Sequence, residues 1–203
     1  MNTEDYTGYL KRILTPHRFQ HSLGVMEVMR ELAEVYQLDR TQAMTAGLLH
    51  DAAKDLEPEQ LLALAEEARI EFRHSCERLP VYLHAPVSAY LVSKELGITD
   101  SLILDAISTH SYFGVGDNFN EPFSWCLRSA DLVEPGRGWK GVKRLRSVVY
   151  AGRLEEAALL QCSWLIKFLP EIGIPVHPNL IESIRLLSAR LNIGEAFCER
   201  EET

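Results

Sequence analysis

No two of the four cysteines stand close together: Cys76, Cys126, Cys162 and Cys198 form no C-x-x-C pair. That spacing argues against a zinc ribbon or a redox dithiol and leaves isolated thiols in a reducing compartment. Long apolar runs are missing too, and none approaches the roughly 20 residues that span a bilayer. The stretch Met1 to Leu14 mixes Glu4, Asp5, Lys11 and Arg12 with apolar residues, unlike a secretory signal peptide. A cytoplasmic protein with no membrane partner is therefore expected. Positive charge is in short supply, with 21 Lys and Arg against 29 Asp and Glu and a formal net charge of −8. Non-specific nucleic-acid binding depends on clustered positive charge, so no nucleic-acid partner is expected. An anionic small molecule stays open, because local Arg, Lys or metal ions suffice to hold one.

Alternating segments of the kind that form strands are absent, as are internal repeats and low-complexity tracts. What is present is helical patterning. In Phe19 to Tyr36, the residues Phe19, Leu23, Met26, Leu32, Ala33 and Tyr36 recur mostly at three- and four-residue steps, giving one apolar stripe. Leu38 to Leu56 reads as a second helix, with Asp39 and Thr41 as candidate caps and Pro58 just past its end. Further helices are expected over Glu59 to Ala68, Pro86 to Leu96, Ser101 to Thr109, Pro122 to Leu132, Val142 to Tyr150, Leu154 to Leu169 and Pro178 to Leu191. Two irregular segments intervene: Ile70 to Leu83, which carries Pro80, and Ser111 to Pro122, rich in Gly, Asn and Asp. The fold class is all-α, and 203 residues suit one compact domain, with the chain after Asn192 read as a polar tail.

Against this helical background, a few His and Asp residues stand out by position. His50 and Asp51 are adjacent at the end of the apolar run Ala46-Gly47-Leu48-Leu49. Neighbours on a helix point about 100° apart, so this pair can embrace one metal ion or bridge two. His21 lies on the edge of the stripe made by Phe19 and Leu23, and His84, His110 and Asp131 each fall near a helix end downstream. Singly, each would be a capping or core residue. The ordered set converges only if the helices form a bundle.

That set resembles the HD superfamily of metal-dependent phosphohydrolases, through His21, His50-Asp51 and Asp131. More closely, the chain resembles the YqeK-type symmetrical diadenosine tetraphosphate hydrolases. The blocks that carry this likeness begin with His17-Arg18-Phe19-Gln20-His21-Ser22 and Ala46-Gly47-Leu48-Leu49-His50-Asp51-Ala52-Ala53-Lys54. Leu83-His84-Ala85-Pro86-Val87-Ser88-Ala89-Tyr90-Leu91 and Ala106-Ile107-Ser108-Thr109-His110 follow, and Ala130-Asp131-Leu132-Val133-Glu134-Pro135-Gly136-Arg137 closes the series. The resemblance implies a single HD-type helical domain over 1–203, with a metal core at about 15–150, C-terminal helices at 154–191 and a tail at 192–203. It also implies a dinuclear site, often iron, with His21, His50, Asp51, His84, His110 and Asp131 as ligands and Asp51 shared between the ions. The family tends to place Thr and a Gly-containing loop after the fourth His, whereas His110 here precedes Ser111-Tyr112-Phe113-Gly114.

Phosphoanhydride hydrolysis requires a nucleophile at neutral pH and neutralisation of charge on phosphoryl oxygens. A two-metal centre supplies both, and a hydroxide shared by the two ions is the implied nucleophile. Imidazole and carboxylate ligands suit iron, manganese, cobalt or zinc better than calcium. Arg18 lies three residues before His21 and Lys54 three after Asp51, each on the helical face of its neighbour. Arg137 follows Asp131 through the turn Glu134-Pro135-Gly136. These three are the candidate phosphate-binding cations, with Asp51 and Lys54 the candidate catalytic pair. Lys140, Lys143, Arg144 and Arg146 either extend that surface or line a solvated helix face. Trp139, Tyr112 and Phe113 are candidate adenine-stacking residues, with packing the plainer role for each. The expected reaction yields two ADP from one diadenosine tetraphosphate. The alternatives are an HD phosphohydrolase for another nucleotide, a guanosine alarmone or a cyclic dinucleotide, and an inactive nucleotide-sensing scaffold. A homodimer stays open.

Overall fold

The computed structural model describes residues 3–112 and 121–193. The expectations for Phe113, for most of the Ser111 to Pro122 segment, for Cys198 and for the tail past residue 193 fall outside those residues. Ten α-helices and one 3-10 turn lie among the described residues, with no strand. They are α1 (Thr3–Ile13), α2 (Pro16–Tyr36), α3 (Arg40–Leu49), α4 (Pro58–Glu67), α5 (Pro80–Leu96), α6 (Ser101–Thr109), α7 (Glu121–Val133), α8 (Val142–Tyr150), α9 (Leu154–Glu171) and α10 (Pro178–Arg190). The 3-10 turn spans Ser75–Arg78. No described helix is long and apolar enough to cross a membrane. The expected all-α class holds, and α1 is an addition ahead of the stretches that periodicity picks out.

Local chemistry sets the ends of α2 and α3, which present the first of the candidate ligands. Thr15 caps α2, its side chain accepting the Arg18 N–H at 3.3 Å, and Pro16 follows at the first helical position. At the other end Gln37 takes a left-handed conformation (φ 54°) and Asp39 caps α3 by accepting the Gln42 N–H at 2.8 Å. Of the two candidate caps, Asp39 is the one used. The short connection folds α3 back along α2, and Gly47 lets the two backbones meet. A Cβ at Gly47 would stand 2.9 Å from Met26 Cα and 3.0 Å from the Val25 carbonyl oxygen. Only glycine permits that approach.

The expected helix over Leu38 to Leu56 ends early, at Leu49. Beyond it the chain tightens into successive turns, with N–H groups of Ala52, Lys54 and Leu56 bonding the carbonyls of Leu49, Asp51 and Ala53 at 3.2, 3.0 and 3.2 Å. The Ala53 N–H, which α-helix would direct at Leu49, instead donates to Ser88 Oγ of α5 at 2.9 Å. A tertiary hydrogen bond thus replaces the helical one. In α5 the difference runs the other way, because the helix begins at Pro80 rather than Pro86 and so takes in the end of the expected irregular segment. Pro80 occupies the first helical position, and Pro86 is held inside.

The main core joins α1, α2, α3, α6, α7 and α8 around Leu32, Leu48, Leu49, Ile107 and Leu127. Burying side chains of this size stabilises the fold by about 1.5–3 kcal/mol each. A second cluster, including Leu159, Leu165, Leu180 and Leu187 of α9 and α10, packs on Tyr82 and Trp125. A third, with Leu61 and Ala65 of α4 beside Leu83 and Val87 of α5, closes the side below α5. Of the described cysteines, Cys126 and Cys162 are buried and Cys76 half-buried, all as free thiols. The polar cluster described next is enclosed by α2, the turns after α3, α5, α6 and α7.

Candidate metal centre

All six His and Asp residues singled out by the sequence meet in one place. His21 projects from α2, His50 and Asp51 from the end of α3 and the turn after it, His84 from α5, His110 from the end of α6 and Asp131 from α7. The four imidazoles are 0–6% exposed and Asp51 is 2% exposed. Asp51 divides the cluster between its two oxygens. Oδ2 faces His50 Nε2 at 3.5 Å and His21 Nε2 at 3.8 Å. Oδ1 faces His84 Nε2 at 3.2 Å and His110 Nε2 at 3.4 Å. Asp131 Oδ1 lies 3.2 Å from His21 Nε2. Two groups have ligand atoms close enough to share an ion: His21, His50 and Asp131, and His50, Asp51 and His110.

The outer ring nitrogens show what this interior can hold. His50 Nδ1 lies 2.9 Å from the Gly47 carbonyl, His84 Nδ1 2.9 Å from that of Pro80, and His110 Nδ1 2.7 Å from that of Ile107. His21 Nδ1 lies 3.2 Å from a carboxylate oxygen of Glu134. Each partner is an acceptor, so each Nδ1 carries the proton and each Nε2 turns a lone pair inward. His84 and His110 then point lone pairs at one another across 3.1 Å and at the same Asp51 oxygen. His50 Nε2 and Asp51 Oδ1 are buried without a hydrogen-bond donor. Buried acceptors in such a group repel unless a cation lies among them. The donor set therefore fits metal ions, and mixed imidazole and carboxylate ligation suits a first-row transition metal.

Electrostatics agree with that reading at His50, His84, Asp51 and Asp131. Burial pushes the imidazole of His50 down to about 3 and that of His84 to about 4, so both are neutral and ready to ligate at neutral pH. Burial alone would raise the Asp51 carboxyl, but His50 and Lys54 outweigh it and hold it well below the usual carboxylate range. Asp131 follows the same pattern, burial being overcome by its contact with His21 and by the Arg137 charge. At His21 burial acts downward, and the contacts with Asp131 and then Asp51 reverse it, raising the imidazole above its ordinary value.

The three predicted cations reach the cluster. Arg18 Nη1 donates to Asp51 Oδ2 at 3.0 Å, Lys54 Nζ lies 3.0 Å from His84 Nε2, and Arg137 Nη2 donates to Asp131 Oδ1 at 2.6 Å. Burial lowers the Lys54 ammonium, against the pull of Asp51 and Asp131. Lys140, Lys143 and Arg144 lie on the exposed surface. Arg146 does otherwise: its guanidinium donates to the carbonyls of Val133 and Glu134 at 2.8 and 2.7 Å, closing the end of α7 and the turn that carries Arg137. Trp139 is committed to packing. Its indole N–H donates to the Leu132 carbonyl at 2.8 Å and its ring stacks on Trp164 at 4.5 Å. Tyr112 stacks on His177 at 4.4 Å, so that face of its ring is taken.

Three contributors escaped the sequence reading. Gly47 reads as one more small residue in an apolar run, yet it sets the approach of α3 to α2. Arg128 is buried and donates to the His110 carbonyl. Glu134, 6% exposed, backs His21. Its presence in the Asp131 to Arg137 block was the one available signal.

The HD domain family matches residues 18–159. A protein of Bacillus subtilis strain 168 named "Bis(5'-nucleosyl)-tetraphosphatase, symmetrical" is 34% identical over 179 residues, 88% of this chain and 94% of that one. A Halalkalibacterium halodurans protein of the same name is 31% identical over 92% of this chain and 97% of its own length. Among solved structures, a "predicted HD superfamily hydrolase involved in NAD metabolism" from Clostridium acetobutylicum superposes with a TM-score of 0.85 at 33% identity, covering 94% of this chain and 98% of the other. The match spans all six clustered residues, and the chain belongs to the HD domain family, in the branch that holds these tetraphosphatases.

Proposed function

We propose that the chain hydrolyses diadenosine tetraphosphate symmetrically, with one water consumed and two ADP released. One observation carries the chemistry: four imidazole Nε2 lone pairs and two carboxylates turned into a single buried space. The substrate assignment rests on the relatives named as symmetrical tetraphosphatases over nearly their whole length. In this reading His21, His50, Asp51, His84, His110 and Asp131 hold two metal ions, and the division of Asp51's oxygens supports its placement between them. Iron is the metal we favour, with manganese, cobalt or zinc as substitutes. When bound, such ions lower the pKa of water and withdraw charge from phosphoryl oxygens.

The protein's own groups do the rest. Arg18, Lys54 and Arg137 stand around the cluster and bind phosphate oxygens that are not reacting, the two guanidiniums by paired N–H donors. Lys54 is the group we place near the departing ADP oxygen, where its ammonium offsets the charge that forms as the central P–O–P bridge breaks. The backbone carbonyls behind His50, His84 and His110 keep those rings in one tautomer throughout. Turnover in isotopically labelled water tests this. ADP alone, with one of each pair labelled, is expected, whereas AMP with ATP contradicts symmetrical cleavage.

A further inference from the structure

We propose that the two metal positions are unequal, and that Glu134 makes the position at His21 and Asp131 the tighter of the two. The inference rests on the two-metal reading above. Its starting point is the set of partners behind the four imidazoles. Three of them, His50, His84 and His110, lean on neutral backbone carbonyls within their own helices. His21 alone leans on a carboxylate, Glu134 Oε1 at 3.2 Å, 113 residues away in sequence. A carboxylate behind Nδ1–H makes the imidazole a stronger donor than an amide oxygen does, and losing such partners typically weakens metal binding about 10–100-fold.

Glu134 is placed rather than merely tolerated. The carboxylate is 6% exposed, and its second oxygen accepts the Gly136 N–H at 2.5 Å. Glycines make room for it on both sides. A Cβ at Gly24 would stand 2.9 Å from Oε2, and one at Gly136 would stand 3.0 Å from both oxygens. Gly24 lies on α2 one turn beyond His21, so the helix that presents the imidazole also leaves the space for the group behind it.

Charge divides the two ends in the same sense. Around His21 stand the carboxylates of Asp131 and Glu134 with two guanidiniums: Arg137, 2.6 Å from Asp131 and 3.4 Å from His21 Nε2, and Arg18, 3.0 Å from Asp51 Oδ2. Around His84 and His110 stand two cations and no carboxylate besides the shared Asp51: Lys54 at 3.0 Å from His84, and Arg128, which donates to the His110 carbonyl. Beyond the shared Asp51, carboxylates offset the cations at the first end and none does so at the second, so a divalent cation is opposed less at the first. The substitution Glu134→Gln keeps the size of the side chain and one acceptor oxygen for the His21 ring, but removes the charge.

Metal-free protein titrated with Co2+, followed by visible absorption and equilibrium dialysis, distinguishes these roles. Wild type is expected to bind two ions in two affinity classes. Glu134→Gln is expected to weaken the tighter class by about 10–100-fold and leave the weaker class unchanged. Gly24→Ala, which displaces the carboxylate without altering its chemistry, should reproduce that pattern and carries the test if Glu134→Gln does not fold. A purely structural role for Glu134 predicts a lower melting temperature with no class-selective change, and that result overturns the inference while leaving two ions bound. A single ion bound by wild type overturns the two-metal reading itself, and the inequality with it.

Discussion

Replacing Gly47 by alanine sets two well-understood effects against each other, and the structure says which one prevails. In the interior of a helix, alanine is favoured over glycine by about 0.8–1.0 kcal/mol. At Gly47 the added methyl would meet backbone rather than movable side chain, with Met26 Cα at 2.9 Å, Val25 O at 3.0 Å and Met26 N at 3.1 Å. Relief requires α3 to move off α2 by a few tenths of an ångström, and overpacking of this kind costs about 1–3 kcal/mol. The balance is a net loss of about 1 kcal/mol, or a melting temperature about 2–4 °C lower for a domain of this size. Gly8 serves as the internal control, since a Cβ there meets nothing nearer than the end of Arg12 at 3.9 Å. Gly8→Ala should raise the melting temperature by a similar amount. Because His50 and Asp51 follow Gly47 by three and four residues, Gly47→Ala should also lower the number of ions retained after gel filtration. Thermal melts of the metal-free variants decide the matter. If Gly47→Ala is stabilised as Gly8→Ala is, the close backbone approach and its role in placing the ligands are refuted.

Two further outcomes follow from the same geometry. Arg137→Ala should raise KM for diadenosine tetraphosphate by about 10–100-fold with a smaller effect on kcat, the loss of a charge-assisted hydrogen bond to phosphate being worth about 1.5–3 kcal/mol; Arg137→Lys should recover little of it, and an unchanged KM in the alanine variant removes Arg137 from the binding site. In the metal-free protein, stability should fall as pH drops from about 6.5 toward 4, because His50 (about 3) and His84 (about 4) take up protons only on unfolding. Each such imidazole contributes a slope approaching about 1.4 kcal/mol per pH unit. His21, raised in the folded state, is protonated both folded and unfolded over most of this range and acts only above about pH 6.5, where its contribution is lost as pH rises. Asp51 and Asp131, both held low, extend the loss below about pH 3.8. Denaturant midpoints measured across this range should decline steadily, and a midpoint that rises on acidification contradicts neutral, buried imidazoles.

Much of this protein was legible in its sequence because the relevant signals are local. Apolar residues at three- and four-residue steps act over a single helical turn, so the body of α2 was legible from Phe19 onward and Asp39 stood as one of two candidate caps for α3, whereas the start of α2 at Thr15 and Pro16 was not read. The six clustered His and Asp residues were legible as an ordered set, through resemblance, although no one of them was informative alone. What only the tertiary structure decided are the contacts between distant segments. Ser88 takes the Ala53 N–H and ends α3 before Lys54. Arg146 is drawn from a basic run to the carbonyls at the end of α7. Trp139 is claimed by Trp164 instead of a nucleotide base. Glu134 meets His21 across 113 residues of chain, in a gap that Gly24 and Gly136 leave open. Periodicity and capping are set by neighbours a few residues apart. The direction of each lone pair and the charge behind each imidazole depend on which helices pack together, and that is settled only when the chain has folded.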